Sequence, residues 1–63
     1  MQVIDQVVEV MRGRADFLSV GDLARLTGRL PSSVSTAVRD HQELFERRVR
    51  RYAYREYRLK QPT

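Results

Sequence analysis

A chain of 63 residues with no cysteine has to hold itself together by packing alone. A fold this short buries only about 60% of the surface its unfolded chain exposes, so its core is thin. No disulfide and no cysteine-based zinc site can prop that core up. The same shortness restricts function. There is room for one domain, 1–63, and not for two. The single histidine, His41, leaves no spare ligand for a metal site and no second choice for a Ser-His-Asp arrangement. No run of about 18 apolar residues occurs, so no membrane span is expected. The opening MQVIDQVVEV carries Asp5 and Glu9 within its apolar stretch, which argues against a secretory signal. These exclusions point to a cytoplasmic, non-enzymatic binding module with neither cofactor nor metal.

The apolar spacing divides the chain into four segments. Val3, Ile4, Val7, Val8 and Met11 recur at helical intervals and predict a helix over 2–12, with Val10 off the stripe and Gly13 as its stop. Phe17 and Leu18 suggest a short extended piece. Ser19 then caps a helix over 20–27, with Asp22 three residues on completing a capping box and Gly28 ending it. Pro31 suits a helix start, and Val34, Ala37, Val38 and His41 form the inward stripe of a third helix over 32–43, continued by Leu44 or Phe45. Its outward face carries Ser32, Ser33, Ser35, Thr36, Arg39, Asp40 and Glu43, where an ordinary solvent-facing helix would use Glu and Lys. From Leu44 onward, Phe45, Arg47 and Val49 alternate with Glu46, Arg48 and Arg50, and Tyr57 and Leu59 alternate with Glu56, Arg58 and Lys60. That period of two predicts a hairpin over 44–60, its turn somewhere in 50–54 without a Gly or Asn to mark it. A continuous helix over 43–51 is the competing reading.

Charge is unevenly placed. Residues 1–31 balance four arginines against four carboxylates, whereas residues 32–63 carry eight basic side chains against four acidic ones. The whole net charge of +4 therefore sits in the second half. Eleven of the twelve basic residues are Arg, whose planar fork of donors matches phosphate and guanine edges. The excess concentrates on the hairpin, where 45–60 hold seven basic and two acidic side chains.

The stretch LSVGDLARLTGRLPSSVSTAV, Leu18 to Val38, resembles the helix-turn-helix pattern of bacterial and phage DNA-binding regulators. The matching residues are Leu23-Ala24, Gly28 four residues after Ala24, Val34 six after Gly28, and Ala37-Val38. Ala24 has to be small where the two helices cross, and Gly28 makes the turn between them. With a helix before it and a basic hairpin after it, the whole chain is similar to the winged helix-turn-helix family. That resemblance implies a small α+β fold of three helices plus a C-terminal β-hairpin wing, in the order α-β-α-α-β-β. It also implies that the third helix enters the major groove of double-stranded DNA, as in a small transcriptional regulator or nucleoid-associated accessory factor. Ser32, Ser33, Ser35, Thr36 and Arg39 would then contact DNA from the recognition helix, with Arg39 the candidate for a bidentate bond to guanine. Arg29 in the turn and Arg47, Arg48, Arg50, Arg51 and Arg55 on the wing would meet the backbone, with Arg48, Arg50 and Arg51 along or inside a minor groove. Arg29 stands where the family usually has an apolar turn residue, and Leu30 is expected to supply that anchor instead.

Other roles compete on the same residues. A winged helix can serve only protein contacts, here with part of the transcription machinery. Tyr52, Tyr54 and Tyr57 interleaved with Arg suit base stacking on RNA or single strands, or else cross-strand packing with Tyr57 in the core. The hairpin charges also discourage edge-to-edge strand pairing. A homodimer reading two half-sites would use the first helix, with Val10, or the wing edge. His41 on the stripe is expected to be a partly buried structural residue. Ser32 and Ser33 have no partner His on the same helix face, so an enzyme is not expected.

Overall fold

The structure is a computed structural model that describes residues 2–50 and 54–60. It is a small α+β fold of three helices and a three-stranded antiparallel sheet. Helix α1 spans Val3–Met11, strand β1 Leu18–Ser19, α2 Val20–Thr27 and α3 Pro31–Asp40; β2 spans Phe45–Arg50 and β3 Tyr54–Leu59. The sheet order is β1-β3-β2. Strand β3 pairs with β2 from Phe45 opposite Leu59 to Arg50 opposite Tyr54, and with β1 at Leu18 opposite Tyr57 and Ser19 opposite Glu56.

The core forms where the helical stripes meet. Val7, Leu23 and Val34 are fully buried, one from each helix, and Met11, Ala24, Val38 and Phe45 complete the cluster. Around them Val3, Ile4, Val8, Val10, Leu18, Val20, Tyr57 and Leu59 pack half-buried. With so few fully buried side chains, each one carries a large share of the stability.

Helix α2 is the most tightly specified element. Ser19 Oγ accepts from the Asp22 backbone N–H at 3.1 Å, and the Asp22 carboxylate accepts from the Ser19 N–H at 3.3 Å. At the other end Gly28 adopts φ 71°, a left-handed conformation that favours glycine, and donates its N–H to Ala24 O at 2.9 Å. The Thr27 hydroxyl donates back to Leu23 O at 2.7 Å. The chain can therefore reverse directly into α3 across Ala24.

The third helix ends earlier than its spacing predicts. It stops at Asp40, because His41 leaves helical geometry at φ −128°, ψ 42°. Gln42–Leu44 then form a tighter 3₁₀ turn, with the Leu44 N–H donating to His41 O at 3.0 Å. Three-residue spacing persists through such a turn, so the apolar stripe continues after the α-helix has ended. Of the two residues that could close the stripe, Phe45 is buried at 5% exposure and Leu44 points outward at 39%. Phe45 enters β2 directly, so the competing helix over 43–51 does not form.

Two outcomes follow for stability. Leu23→Ala removes a fully buried side chain at the helix crossing and should cost about 2–5 kcal/mol. A core of this size supplies only about that much, so the variant should show no cooperative thermal transition. The Asp22 carboxyl is held below its ordinary value of 3.8, first by the Ser19 backbone N–H, then by the Ser19 hydroxyl and Arg25. A lowered folded-state pKa gives stability that is present above the unfolded value and lost as pH falls through the folded one. Thermal melts of Asp22→Asn should therefore show a lower Tm at neutral pH and a smaller further decline below pH 3.8 than the parent chain.

Candidate nucleic-acid interface

Successive residues of α3 turn by about 100°, so burying Val34 and Val38 fixes where every other side chain points. Ser35 and Arg39 fall on the flank nearer the hairpin. Ser32 and Thr36 stand on the exposed crest. Ser33, Ala37 and Asp40 lie on the flank nearer α1, where they border a shallow groove with Val3, Ile4 and Arg29. Ser32, Ser35, Thr36 and Arg39 are exposed, and Ser33 is half-buried. The Arg39 guanidinium keeps 71% of its side-chain exposure, its Nε 4.0 Å from Asp40 Oδ1.

Between α3 and the hairpin runs a cleft of about 300 Å³. Ser35, Arg39 and Gln42 line one wall, Arg47, Arg55 and Tyr57 the other, and Val38 and Phe45 are at its base. Tyr57 meets Phe45 edge to face, ring centroids 6.4 Å apart, so this tyrosine is packing against the core.

The strand register gives the hairpin two unlike faces. Paired residues share a face, so Phe45, Arg47 and Val49 of β2 lie with Leu59, Tyr57 and Arg55 of β3 on the side toward the cleft. Among the described residues no carboxylate oxygen comes within 4.0 Å of the Arg47 or Arg55 guanidinium. The opposite face carries Glu46 with Arg58 and Arg48 with Glu56. There Arg48 donates through Nε at 3.1 Å and Nη2 at 2.6 Å to Glu56 Oε1, and Arg50 Nε stands 3.9 Å from the same oxygen. Arg58 donates through Nε at 2.9 Å to Glu46 Oε2, with its Nη2 at 2.8 Å. The Arg48 and Arg58 guanidinium carbons lie 4.3 and 4.5 Å from the centre of the Phe17 ring, within cation–π range.

The arginines that the sequence assigns together to the turn and wing are thus divided. Arg47 and Arg55 border the cleft beside Arg39. Arg48 and Arg50 lie on the far face beside Glu56, away from α3. Arg29 donates its Nε to Gln6 Oε1 on α1, at the other flank of α3. Arg51 and Tyr52 lie outside the described residues, as does the turn of the hairpin. Sequence reasoning missed Phe17 as a stacking partner and Glu46 and Glu56 as counter-charges. The signal was present in the parity of Glu46, Arg48 and Arg50, but cross-strand pairing also needs the register, which an unmarked turn withholds.

Leu30 departs from expectation as well. It does not anchor the turn: it is 69% exposed and sits at the N-cap of α3 without a side-chain hydrogen bond. His41 is partly exposed, its Nδ1 4.0 Å from Glu43 Oε1. Among the described residues no group of three or more His, Asp or Glu side chains could hold a metal ion, and no helix is long and apolar enough to cross a membrane. Comparison of the chain with protein-family models, with curated proteins and with solved structures finds no match in any of the three.

A leucine at an N-cap leaves the first-turn N–H groups without a side-chain acceptor. Leu30→Ser should therefore stabilise α3 by about 0.5–2 kcal/mol. Calorimetry should read this as a Tm gain on the order of 4–8 °C per kcal/mol.

Proposed function

We propose that this chain is a winged helix-turn-helix module that binds double-stranded DNA with sequence selection. The observation that carries the reading is the cleft between α3 and the hairpin. Three arginines converge on it from three elements, Arg39 from α3, Arg47 from β2 and Arg55 from β3. The crest of α3 is built from Ser32 and Thr36, with Ser35 on the flank toward the cleft, none bulky enough to keep the helix off base edges in a major groove about 12 Å wide.

The division of labour follows from the side chains. Arg39, exposed on α3, can offer a bidentate fork to the O6 and N7 of a guanine, the commonest specific contact. The hydroxyls of Ser32, Ser35 and Thr36 discriminate weakly and leave the remaining selection to DNA shape. Arg47 and Arg55 hold like charge on one sheet face. An anion lying between them relieves their repulsion, and a phosphate strand flanking the inserted helix is such an anion. The element order α1-β1-α2-α3-β2-β3 is the one this family uses, with β2 and β3 as the wing.

Selection of bound sequences from a random duplex pool tests the reading directly. Convergence on one motif is the expected result. On that motif Arg39→Ala should lose about 1–3 kcal/mol and tolerance should widen at a single base pair. Arg47→Gln or Arg55→Gln should weaken the selected and random duplexes alike, and each should flatten the dependence of log affinity on log salt by about 0.9. No duplex binding even near 50 mM salt would overturn the proposal in favour of a protein-contact role.

A further inference from the structure

Glu56 is the one carboxylate among the described residues whose residue is buried, at 8% exposure. Burying a carboxylate is unfavourable unless it is paired, and here the pairing is supplied by arginine. Arg48, directly across the strand, spends two donors on a single oxygen, and Arg50, one step diagonal, leans to the same oxygen. The Phe17 ring lies 4.3 Å from the Arg48 guanidinium carbon, within cation–π range. If Arg48 turned these two donors to a phosphate it would weaken the pairing of a buried carboxylate, leaving only Arg50 at 3.9 Å.

Without that acid the hairpin would offer a second basic surface. Arg48, Arg50 and Arg58 share the face that looks away from α3, and Glu46 is the only other carboxylate on β2 or β3. DNA docked on that face would touch three arginines and no part of the recognition helix. Such a mode gains affinity without reading sequence, because phosphate contacts carry no base information.

We propose that Glu56 is a specificity-determining residue, which offsets the arginine charge on the far face of the hairpin so that DNA docks preferentially on the face that carries α3. This rests on the DNA-binding reading above. It makes Glu56 a positioning residue that never touches DNA and acts through Arg48 and Arg50.

Salt titrations on the selected duplex and on a random duplex test it. Glu56→Gln keeps the shape and removes the charge. The expected result is tighter binding to random duplex, a salt slope there steeper by about 0.9 for each arginine released, and little change on the selected duplex. The ratio of selected to random affinity therefore falls by several-fold at low salt. Adding Arg48→Gln to Glu56→Gln should take back about 0.9 of that slope. If Glu56→Gln does not fold, a second comparison carries the test. Arg48→Gln with Arg50→Gln should leave the random-duplex slope of the parent chain unchanged, whereas Arg47→Gln with Arg55→Gln should lower it by about 1.8. An unchanged slope in folded Glu56→Gln, or equal losses from the two arginine pairs, overturns the role of Glu56 and leaves the DNA reading standing. Absence of duplex binding by the parent chain and by Glu56→Gln alike overturns both.

Discussion

Everything distinctive about the charged surface depends on the burial of Phe45. Its ring closes the core beside Val38 and meets Tyr57 edge to face, so β2 must begin with that residue pointing inward. A strand alternates strictly, and a slip of one residue would turn every side chain to the other face. Once Phe45 is inside, Arg47 and Val49 have to look toward α3, and Glu46, Arg48 and Arg50 have to look away. Leu59 does the same for β3, bringing Tyr57 and Arg55 to the cleft and placing Glu56 and Arg58 behind it. One aromatic residue in the core thereby sorts the arginines of the hairpin onto two faces.

This is also the boundary of what could be read directly from the residues. The stripe of α1, the box at Ser19 and Asp22, and Gly28 as the end of α2 are local features, each decided within about four residues, and local features are visible in a linear sequence. The alternation of the hairpin is local too, so its existence was legible. Its register was not, because the turn has no Gly or Asn to locate it and the partners of Glu46 and Glu56 lie twelve and eight residues away. The end of α3 was hidden for a different reason. A 3₁₀ turn keeps side chains on a three-residue repeat, so the stripe through His41 and Leu44 looks helical past the point where the helix stops. For the candidate site, the crest of α3 with Arg39 was legible from periodicity, whereas the separation of Arg47 and Arg55 from Arg48 and Arg50 needed the register.

The net charge of +4 takes on a different meaning once the faces are known. Counted along the chain, the hairpin looks uniformly basic. Counted by face among the described residues, one side spends two carboxylates and an aromatic ring on three arginines, and the other leaves two arginines without a carboxylate within 4.0 Å, beside a third from α3. A chain with so thin a core has little interior in which to build a ligand pocket, so its chemistry has to be arranged on the surface. On a surface, the choice of which charges remain unpaired is the main means of aiming a field in one direction.

The places where the chain breaks its own structural rules support that view. Helix α2 is capped at both ends, and the far face of the hairpin pairs each arginine with an acid. On α3 and the sheet face toward it the reverse holds. Helix α3 starts on an uncapped leucine, fills its outer face with serine and threonine of poor helix propensity, and stands opposite two like charges on one sheet face. Each choice weakens a fold that has little stability to spare. Departures from local rules that cluster on and beside one helix fit a demand on that surface other than folding. Exposed hydroxyls and unpaired arginines are what contact with a phosphate-rich groove requires, so the residues that weaken α3 and the cleft are the same ones that would recognise DNA.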